Sequence, residues 1–383
     1  MAGLYIHIPY CKQKCHYCDF HFSVSLRTKD ALLEALKKEM IMRKSELTEP
    51  IETIYFGGGT PSLLSIYELN DLLDTLYENY PITQQAEISL EANPDDLSPN
   101  YLKELAASPI NRLSIGVQSF FDADLQFMNR AHTAAEAIQS VKIAKDAGFE
   151  NITIDLMYGL PNLSQDRWEE NLAIFLELDI PHLSAYALTI EHQTALNYFI
   201  KSKKIPPLDE KMALKHFVFL QDFLKKNGYW QYELSNFAKE AYLSKHNTSY
   251  WRQTPYMGLG PSAHSFDLKS RSWNVSSNTK YIKSITNNQR PFELENLSLT
   301  DRYNEYIMTG LRTIWGVSPA YINEIFGLQY FRFFNEKIQT LAAVNKLIKM
   351  DFSLPYGLAE HWLISPDFLF IADGIISDLF YID

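Results

Sequence analysis

Short apolar runs alternate with longer amphipathic segments through the first 240 residues of the chain. The short runs have the length and composition of strands, and six are predicted, at 4–9, 53–56, 86–92, 112–118, 152–158 and 182–188. The segments that follow the strands carry apolar residues three and four positions apart, as helices that bury one face do. They span 28–47, 66–80, 98–108, 133–147, 164–178 and 209–227. Strands and helices in strict alternation predict an α/β fold with a parallel sheet.

Six strand–helix units predict a partial (β/α)6 barrel, TIM-like but open, because closure takes eight units. A doubly wound sheet is the alternative. Residues 1–240 form this predicted barrel domain. Residues 241–296, rich in Tyr, Trp, Asn and Ser, are expected to be an irregular connecting segment. Residues 297–383 return to helical spacing and predict a small, mainly helical domain of winged-helix type. In either sheet architecture the chemistry belongs at the carboxyl ends of the strands.

Charge and composition narrow the classes of partner. The 383 residues carry a formal net charge of −11, which disfavours nucleic acid and anionic lipid as partners. No cationic segment leads into an apolar stretch as in a secretory signal. No apolar run approaches the ~20 residues that a membrane helix needs. We therefore expect a soluble, cytoplasmic protein without an integral membrane segment.

The cysteines of the chain point to metal chemistry. There are three, Cys11, Cys15 and Cys18, and their spacing is C-x3-C-x2-C. An odd, clustered set is not a disulfide framework. Thiolates on a short loop hold iron–sulfur clusters, and three of them leave one iron of a four-iron cluster open to an outside ligand. Lys12 and Lys14 add positive charge that we expect to keep the thiolates ionised.

A structural zinc site is the competing interpretation of the same segment. Zinc would need a fourth ligand, which His16 or His21 could supply. Zinc spacings are usually two separated C-x2-C pairs, and the chain has no second pair. The spacing therefore favours the iron–sulfur cluster.

Several further motifs follow the predicted strands. In chain order they are Tyr-Ile-His-Ile-Pro at 5–9, Gly-Gly-Gly-Thr-Pro-Ser at 57–62, Glu-Ala-Asn-Pro at 91–94, Arg-Leu-Ser-Ile-Gly-Val-Gln at 112–118 and Asp-Leu-Met-Tyr-Gly-Leu-Pro at 155–161. Together with the cysteine spacing, this set resembles the radical S-adenosylmethionine (SAM) superfamily. Within the superfamily it is most similar to the HemN/HemW subgroup of coproporphyrinogen oxidases and heme chaperones.

The resemblance implies a [4Fe-4S] cluster on the three cysteines and SAM bound at its open iron. It also implies that one electron, from a reductant protein, cleaves SAM to a 5′-deoxyadenosyl radical, so no acid–base triad is expected and no catalytic side chain is assigned. The residues at the family's SAM positions are Tyr5, Tyr17, Gly58, Gly59, Thr60, Glu91, Gln118, Arg130, Asp155 and, as a looser match, Thr189.

Two functions are compatible with this resemblance. The first is anaerobic coproporphyrinogen III oxidation to protoporphyrinogen IX, and the second is heme binding with delivery to an acceptor protein. Phe20 stands where the oxidase pattern has a fourth cysteine, and His-Asn-Thr-Ser-Tyr-Trp at 246–251 is similar to a motif of the chaperones. His246 and His264 are therefore candidate heme ligands, although either is as readily a structural histidine. Whether the chain is an enzyme stays open, as does a radical reaction on another substrate.

Overall fold

The computed structural model describes residues 2–192, 194–354 and 357–382. Its strands are β1 Ala2–Ile8, β2 Ile51–Gly58, β3 Ile82–Ala92, β4 Arg112–Gln118, β5 Ile152–Tyr158, β6 His182–Ala187, β7 Trp230–Gln231, β8 Asn236–Ala238, β9 Tyr256–Leu259, β10 His264–Phe266, β11 Ser270–Asn274, β12 Phe292–Asn296, β13 Leu347–Leu354 and β14 Gly357–Ile364. Each of the six strands predicted from the hydrophobic pattern corresponds to one of β1–β6.

Helices follow most of the strands. They are α1 Lys29–Met42, α2 Ile66–Asn79, α3 Pro99–Leu105, α4 Asp122–Phe127, α5 Ala134–Asp146, α6 Gln165–Glu177, α7 Ala195–Lys201, α8 Glu210–Lys226, α9 Lys245–Trp251, α10 Asn278–Thr286, α11 Leu299–Leu311, α12 Pro319–Ile325, α13 Leu328–Ala343 and α14 Ala372–Ser377. The hydrophobic pattern did not predict α4, α7, α9 and α10. Helices α4, α7 and α9 have only six or seven residues, which leaves little room for a 3.6-residue period.

Local sequence explains where the long helices begin and end. Thr133 and Glu136 form a capping box at the start of α5, so two backbone N–H groups find side-chain partners. At the start of α8, the Asp209 carboxylate accepts hydrogen bonds from the N–H groups of Lys211 and Met212. Gly148 and Gly228 follow α5 and α8 with φ of +97° and +82°, a conformation that ends a helix at little cost only with glycine.

Strands β1 to β6 lie side by side in chain order, and every neighbouring pair is parallel. This confirms the predicted parallel sheet. A doubly wound sheet would reverse its strand order at a switch point, so the sequential order corrects that alternative. The helices of the six units cover one face of this sheet and bury its apolar residues.

Residues 241–296 are not irregular, contrary to the prediction. Strand β9 pairs in parallel with β1, and β10, β11 and β12 extend the sheet in antiparallel fashion. These strands have three to five residues, too few to display an alternating pattern. The buried Glu39 of α1 connects this segment to the barrel. Its carboxylate accepts hydrogen bonds from Tyr281 (2.5 Å), Asn274 (2.8 Å) and the Gly260 N–H (2.8 Å).

The buried apolar side chains form two clusters. One belongs to the sheet and the helices around it, and includes Tyr281 and Ile285 of α10. The other joins α11, α12, α13 and α14, with Tyr303 and Phe334 fully buried within it. The predicted mainly helical C-terminal region is thus confirmed, and its antiparallel hairpin β13–β14 adds the wing that a winged-helix arrangement requires. Division of the chain at 240 and 296 stays a proposal.

No helix in the described residues is long and apolar enough to cross a bilayer.

Candidate functional site

One face of the parallel sheet is polar. Parallel strands covered on both faces usually read as continuous apolar runs, but these strands alternate, with Ile54, Leu90 and Ile154 turned toward the helices. The opposite positions line the interior of the partial barrel and carry Tyr5, His7, Thr53, Tyr55, Glu87, Ser89, Glu91, Arg112, Ser114, Thr153, Asp155 and Ser184. A polar interior can hold a polar ligand.

The cysteine loop follows β1 at the carboxyl edge of the sheet. All three thiols are free and half-buried. Burial raises the pKa of Cys11 to about 11, where the charges of Cys18 and Cys15 also raise it and a hydrogen bond with Thr60 opposes the change. Burial likewise raises the pKa of Cys18, with Cys15 contributing. The thiols are thus close enough to oppose one another's ionisation, and a bound cation would displace their protons.

This donor set fits an iron–sulfur cluster. In the described residues no three His, Cys, Asp or Glu side chains stand where they could hold one metal ion together, whereas a cuboidal cluster takes each thiolate on a different iron. His16, considered above as a zinc ligand, donates from Nδ1 to the Phe127 carbonyl at 2.8 Å. His21 bonds through Nε2 to Asn278.

Arg130 supplies the positive charge beside the thiols. Its Nη1 lies 3.3 Å from Cys15 Sγ, and its Nη2 donates to Asn93 Oδ1 at 2.5 Å and to the Gly116 carbonyl at 2.8 Å. Lys12, expected to play this part, is paired with Asp95 at 2.7 Å and also with Asp96. That expectation was wrong because two nearby carboxylates already neutralise the Lys12 ammonium.

The glycine loop closes tightly on the end of β1. Gly58 has φ of +107° and donates its N–H to Glu91 Oε2 at 3.1 Å. A Cβ on Gly58 would lie 2.5 Å from the His7 ring, and one on Gly59 would lie 2.6 Å from the Tyr10 carbonyl oxygen. These glycines are therefore required by the approach of β2 to β1. They also bring Thr60 to Asn93, whose Nδ2 donates to the Thr60 hydroxyl at 3.1 Å.

Two carboxyl groups occupy the interior. Glu91 accepts from the Tyr55 hydroxyl at 2.8 Å, and burial, with the nearby charge of Asp155, raises the pKa of Glu91 to about 7. Burial raises the pKa of Asp155 to about 6, against a hydrogen bond from Ser184. Both side chains keep some accessible surface, as expected for groups that line a cavity. Tyr5 stacks on Tyr55 with ring centroids 6.2 Å apart.

Gln118 ends β4 in a conformation that side chains seldom adopt. Its φ is +69°, and the ladder to β5 shifts register between Ile115 and Gln118. A Cβ built on Gly116 would meet Gln118 Nε2 at 3.1 Å and Arg130 Nη2 at 3.2 Å. The irregularity thus turns the Gln118 amide toward Arg130, and such strain is common at functional sites.

The structure brings most of the predicted SAM positions together. Tyr17 is close enough to Cys15 and Arg130 for their charges to affect its pKa, which burial raises. The contacts described above bring seven more of these positions to it: Tyr5, Gly58, Thr60, Glu91, Gln118, Arg130 and Asp155. Gly59 lies between Gly58 and Thr60 in the same loop. Thr189 does not, since it is exposed beyond β6 and its hydroxyl bonds Glu191 at 3.4 Å.

Two residues that contact the predicted SAM positions were not predicted from the sequence. Asn93 and Tyr55 both contact predicted residues, and Asn93 belongs to a motif that had already been noted. The polar–apolar alternation of β2 would have indicated Tyr55.

The two predicted heme ligands have different surroundings. His246 is fully buried, with Nδ1 2.8 Å from Thr53 Oγ1 and Nε2 2.7 Å from the Tyr250 hydroxyl. Burial lowers the pKa of His246 to about 3. With both nitrogens bonded, His246 has none left for iron in this structure, which argues against the prediction. His264 is exposed on β10, and its ring stacks on Trp273 at 5.8 Å.

A three-cysteine loop after the first strand of a six-unit parallel sheet is the arrangement of radical SAM proteins. A model of the Radical SAM superfamily matches residues 5–174. Coproporphyrinogen III oxidase (HemN) from Escherichia coli, a radical SAM enzyme, has the same fold, with a TM-score of 0.84 and 22% identity over 99% of this chain and 90% of that one.

Relatives of higher sequence identity indicate the family within this superfamily. The heme chaperone HemW of Bacillus subtilis is 35% identical over 348 residues, which cover 89% of this chain and 91% of the relative. Heme chaperone HemW of Lactococcus lactis is 37% identical, covering 88% of each chain. The chain therefore belongs to the HemW family of the radical SAM superfamily, a superfamily whose members carry a [4Fe-4S] cluster and SAM.

Proposed function

We propose that this protein is a heme chaperone, which binds heme and transfers it to an acceptor protein. The observation that carries the proposal is the 35–37% identity to two heme chaperones over nearly the whole of both chains. The proposal requires an acceptor protein, and a reductant protein for the cluster, as partners.

We further propose that Cys11, Cys15 and Cys18 hold the cluster, and that the interior polar residues hold SAM. When bound, the two groups supply one-electron chemistry that the side chains of the chain do not. Arg130 offsets negative charge at Cys15, where its guanidinium is 3.3 Å from the sulfur. Glu91, held by Tyr55 and Gly58, presents an acceptor that suits hydroxyl or ammonium groups.

Coproporphyrinogen oxidation is the second candidate. The likeness of the chain to HemN favours it, but at 22% identity that likeness concerns the fold, and one fold serves many functions. Phe20 replaces the fourth cysteine of the oxidase pattern and is 70% exposed. We therefore rank oxidation below heme delivery.

The test uses anaerobically reconstituted protein. Titration with heme is expected to give a shifted Soret band that saturates at about one heme per chain. Mixing with apomyoglobin, a generic acceptor, is then expected to move the heme, visible as the myoglobin spectrum. A chain that leaves the free-heme spectrum unchanged would refute the proposal.

A parallel anaerobic assay contains coproporphyrinogen III, SAM and a reductant. We expect no protoporphyrinogen to form. Sustained product formation would reverse the ranking of the two functions.

A further inference from the structure

An open groove lies at the cysteine loop, and Cys18, a proposed cluster ligand, is one of the residues that line it. Its volume is about 700 Å³. One wall runs from Cys18 to Val24 and includes the Asp19 carboxylate, while Phe20 is 70% and Val24 58% exposed to solvent. The other wall contains Ser262 and Ser276, from the segments that flank β10 and β11. Apolar side chains so exposed at a concave surface indicate a binding site.

His21 lines this groove and has a defined tautomer. Its Nε2 is 2.7 Å from the Asn278 amide oxygen. An amide oxygen accepts and does not donate, so Nε2 carries the proton and Nδ1 keeps its lone pair. A hydrogen bond to one ring nitrogen orients a histidine ligand and increases the basicity of the other nitrogen. His21 is therefore prepared to bind a metal through Nδ1.

The orientation of His21 has further support. Its backbone carbonyl accepts from His7 Nε2 at 3.0 Å, and the two imidazole rings stack at 6.2 Å. His7 is buried at the end of β1. The ligand nitrogen is thus tied to the sheet and to helix α10, although it belongs to a loop.

We propose that this groove is the heme site and that His21 Nδ1 is the axial ligand of the heme iron. The inference rests on the proposed heme binding and locates it. Phe20 and Val24 would pack on the macrocycle, which is flat and apolar. Lys14, which also lines the groove, would pair with a propionate.

The alternatives within the chain fit less well. His246 has both nitrogens engaged and no exposed surface. His264 is exposed, but its ring lies on Trp273 and it does not line the groove. His21, in contrast, lines the groove together with the exposed Phe20 and Val24, and its contact with Asn278 engages only Nε2.

The experiment compares full-length, cluster-loaded variants by anaerobic heme titration. His21→Gly is expected to weaken heme binding about tenfold or more and to change the Soret maximum. Added imidazole is expected to restore the wild-type maximum. His192→Gln, an exposed histidine outside the groove, is the matched control and is expected to bind as wild type does.

A second variant tests the wall of the groove. Phe20→Ala removes a side chain that is 70% exposed, so folding and iron content are expected to be unchanged. Heme affinity is expected to fall about three- to tenfold, because the apolar contact area is lost.

The outcomes separate the inference from the function on which it depends. Wild-type protein that binds no heme refutes both. Wild-type protein that binds heme, together with a His21→Gly variant of unchanged affinity and spectrum, overturns the inference and leaves the function standing. Loss of the Soret shift in His264→Gln, but not in His21→Gly, would also overturn it.

Discussion

The carboxyl groups of Glu91 and Asp155 illustrate how single residues respond to the interior of the sheet. Burial raises the pKa of Glu91 to about 7, and the charge of Asp155 adds to this change. Burial also raises the pKa of Asp155 to about 6, against the effects of Ser184, Arg112 and Arg130. A raised pKa means that the folded chain binds a proton more tightly than the unfolded chain does. Both groups can therefore titrate near neutral pH, the range in which exchange of a proton with a ligand is easiest.

The raised pKa of Glu91 predicts a pH-dependent contribution to stability. Between the ordinary value of 4.5 and about 7, the folded chain keeps a proton that the unfolded chain has lost, so the free energy of unfolding falls as pH rises. Glu91→Gln removes this effect. Relative to wild type, we expect the variant to gain on the order of 1–3 kcal/mol across that window.

The measurement is denaturant unfolding of cluster-free wild type and variant from pH 5 to pH 8. Glu78→Gln, at an exposed position of α2, serves as the matched control and is expected to show a constant difference from wild type. A Glu91→Gln difference that is equally flat would contradict the prediction.

His246 is expected to stabilise the fold rather than bind heme. His246→Ala leaves the Thr53 and Tyr250 hydroxyls without their partner and opens a cavity beside Tyr55, on which the ring stacks at 5.0 Å. We expect a loss of about 2–4 kcal/mol in the free energy of unfolding. Heme affinity of the folded variant is expected to be unchanged, and urea unfolding with heme titration tests both statements.

The control for this prediction is His264→Ala, since His264 is exposed. Its free energy of unfolding should stay within about 0.5 kcal/mol of wild type. Lost heme binding in a fully stable His246→Ala variant would show that the structural interpretation is wrong.

At the scale of elements, helix α9 depends on a carboxylate from a distant strand. Glu87 of β3 accepts hydrogen bonds from the Lys245 and His246 N–H groups, both at 3.0 Å. A negative charge at a helix N-terminus satisfies unpaired donors and the helix dipole. The motif at 246–251, noticed in the sequence as a sign of heme binding, is thus part of a helix that packs against the sheet.

Glu87→Gln is expected to loosen this helix. The change removes the charge near the α9 N-terminus and leaves the buried Arg112 without the carboxylate 3.9 Å from its Nε. Breaking such a buried pair costs about 3 kcal/mol. Thermal unfolding and amide exchange should show a less stable chain with reduced protection at 246–251.

Glu293→Gln in the exposed strand β12 is the matched control and should change neither observable. Unchanged exchange in α9 of the Glu87→Gln variant would mean that the helix does not need the carboxylate.

At the scale of the whole molecule, the cluster loop is separate from what holds the fold together. The three cysteines lie outside both buried apolar clusters and are half-buried. Serine replacements at Cys11, Cys15 and Cys18 remove the proposed thiolate ligands, so we expect them to abolish iron binding and the EPR signal of the reduced cluster. The free energy of unfolding of the cluster-free chain should change by less than about 1 kcal/mol.

Iron analysis, EPR and circular dichroism check this prediction. Ser25→Ala, an exposed serine beyond the cysteines, provides the control and should keep both iron and signal. Full iron content in the serine variants would exclude the proposed cluster site.

The local pattern was sufficient for the six parallel strands β1–β6 and for the type of cofactor. Strands β4 and β5 begin and end where the hydrophobic pattern predicts, because a buried strand imposes its signature on adjacent residues. The cysteine spacing likewise lies within eight residues. The short strands of the 241–296 segment left no such signature.

The sequence by itself determined the six strand–helix units, the spacing of the cysteine loop and the family. Tertiary structure alone decided which side chains meet. Arg130 reaches Cys15 across 115 residues, Thr53 bonds His246 across 193, and Asn278 orients His21 across 257. Such pairings depend on the register of parallel strands and the packing of distant loops, which no local period encodes. For that reason Lys12, His246 and His21 were each assigned another role until their neighbours were known.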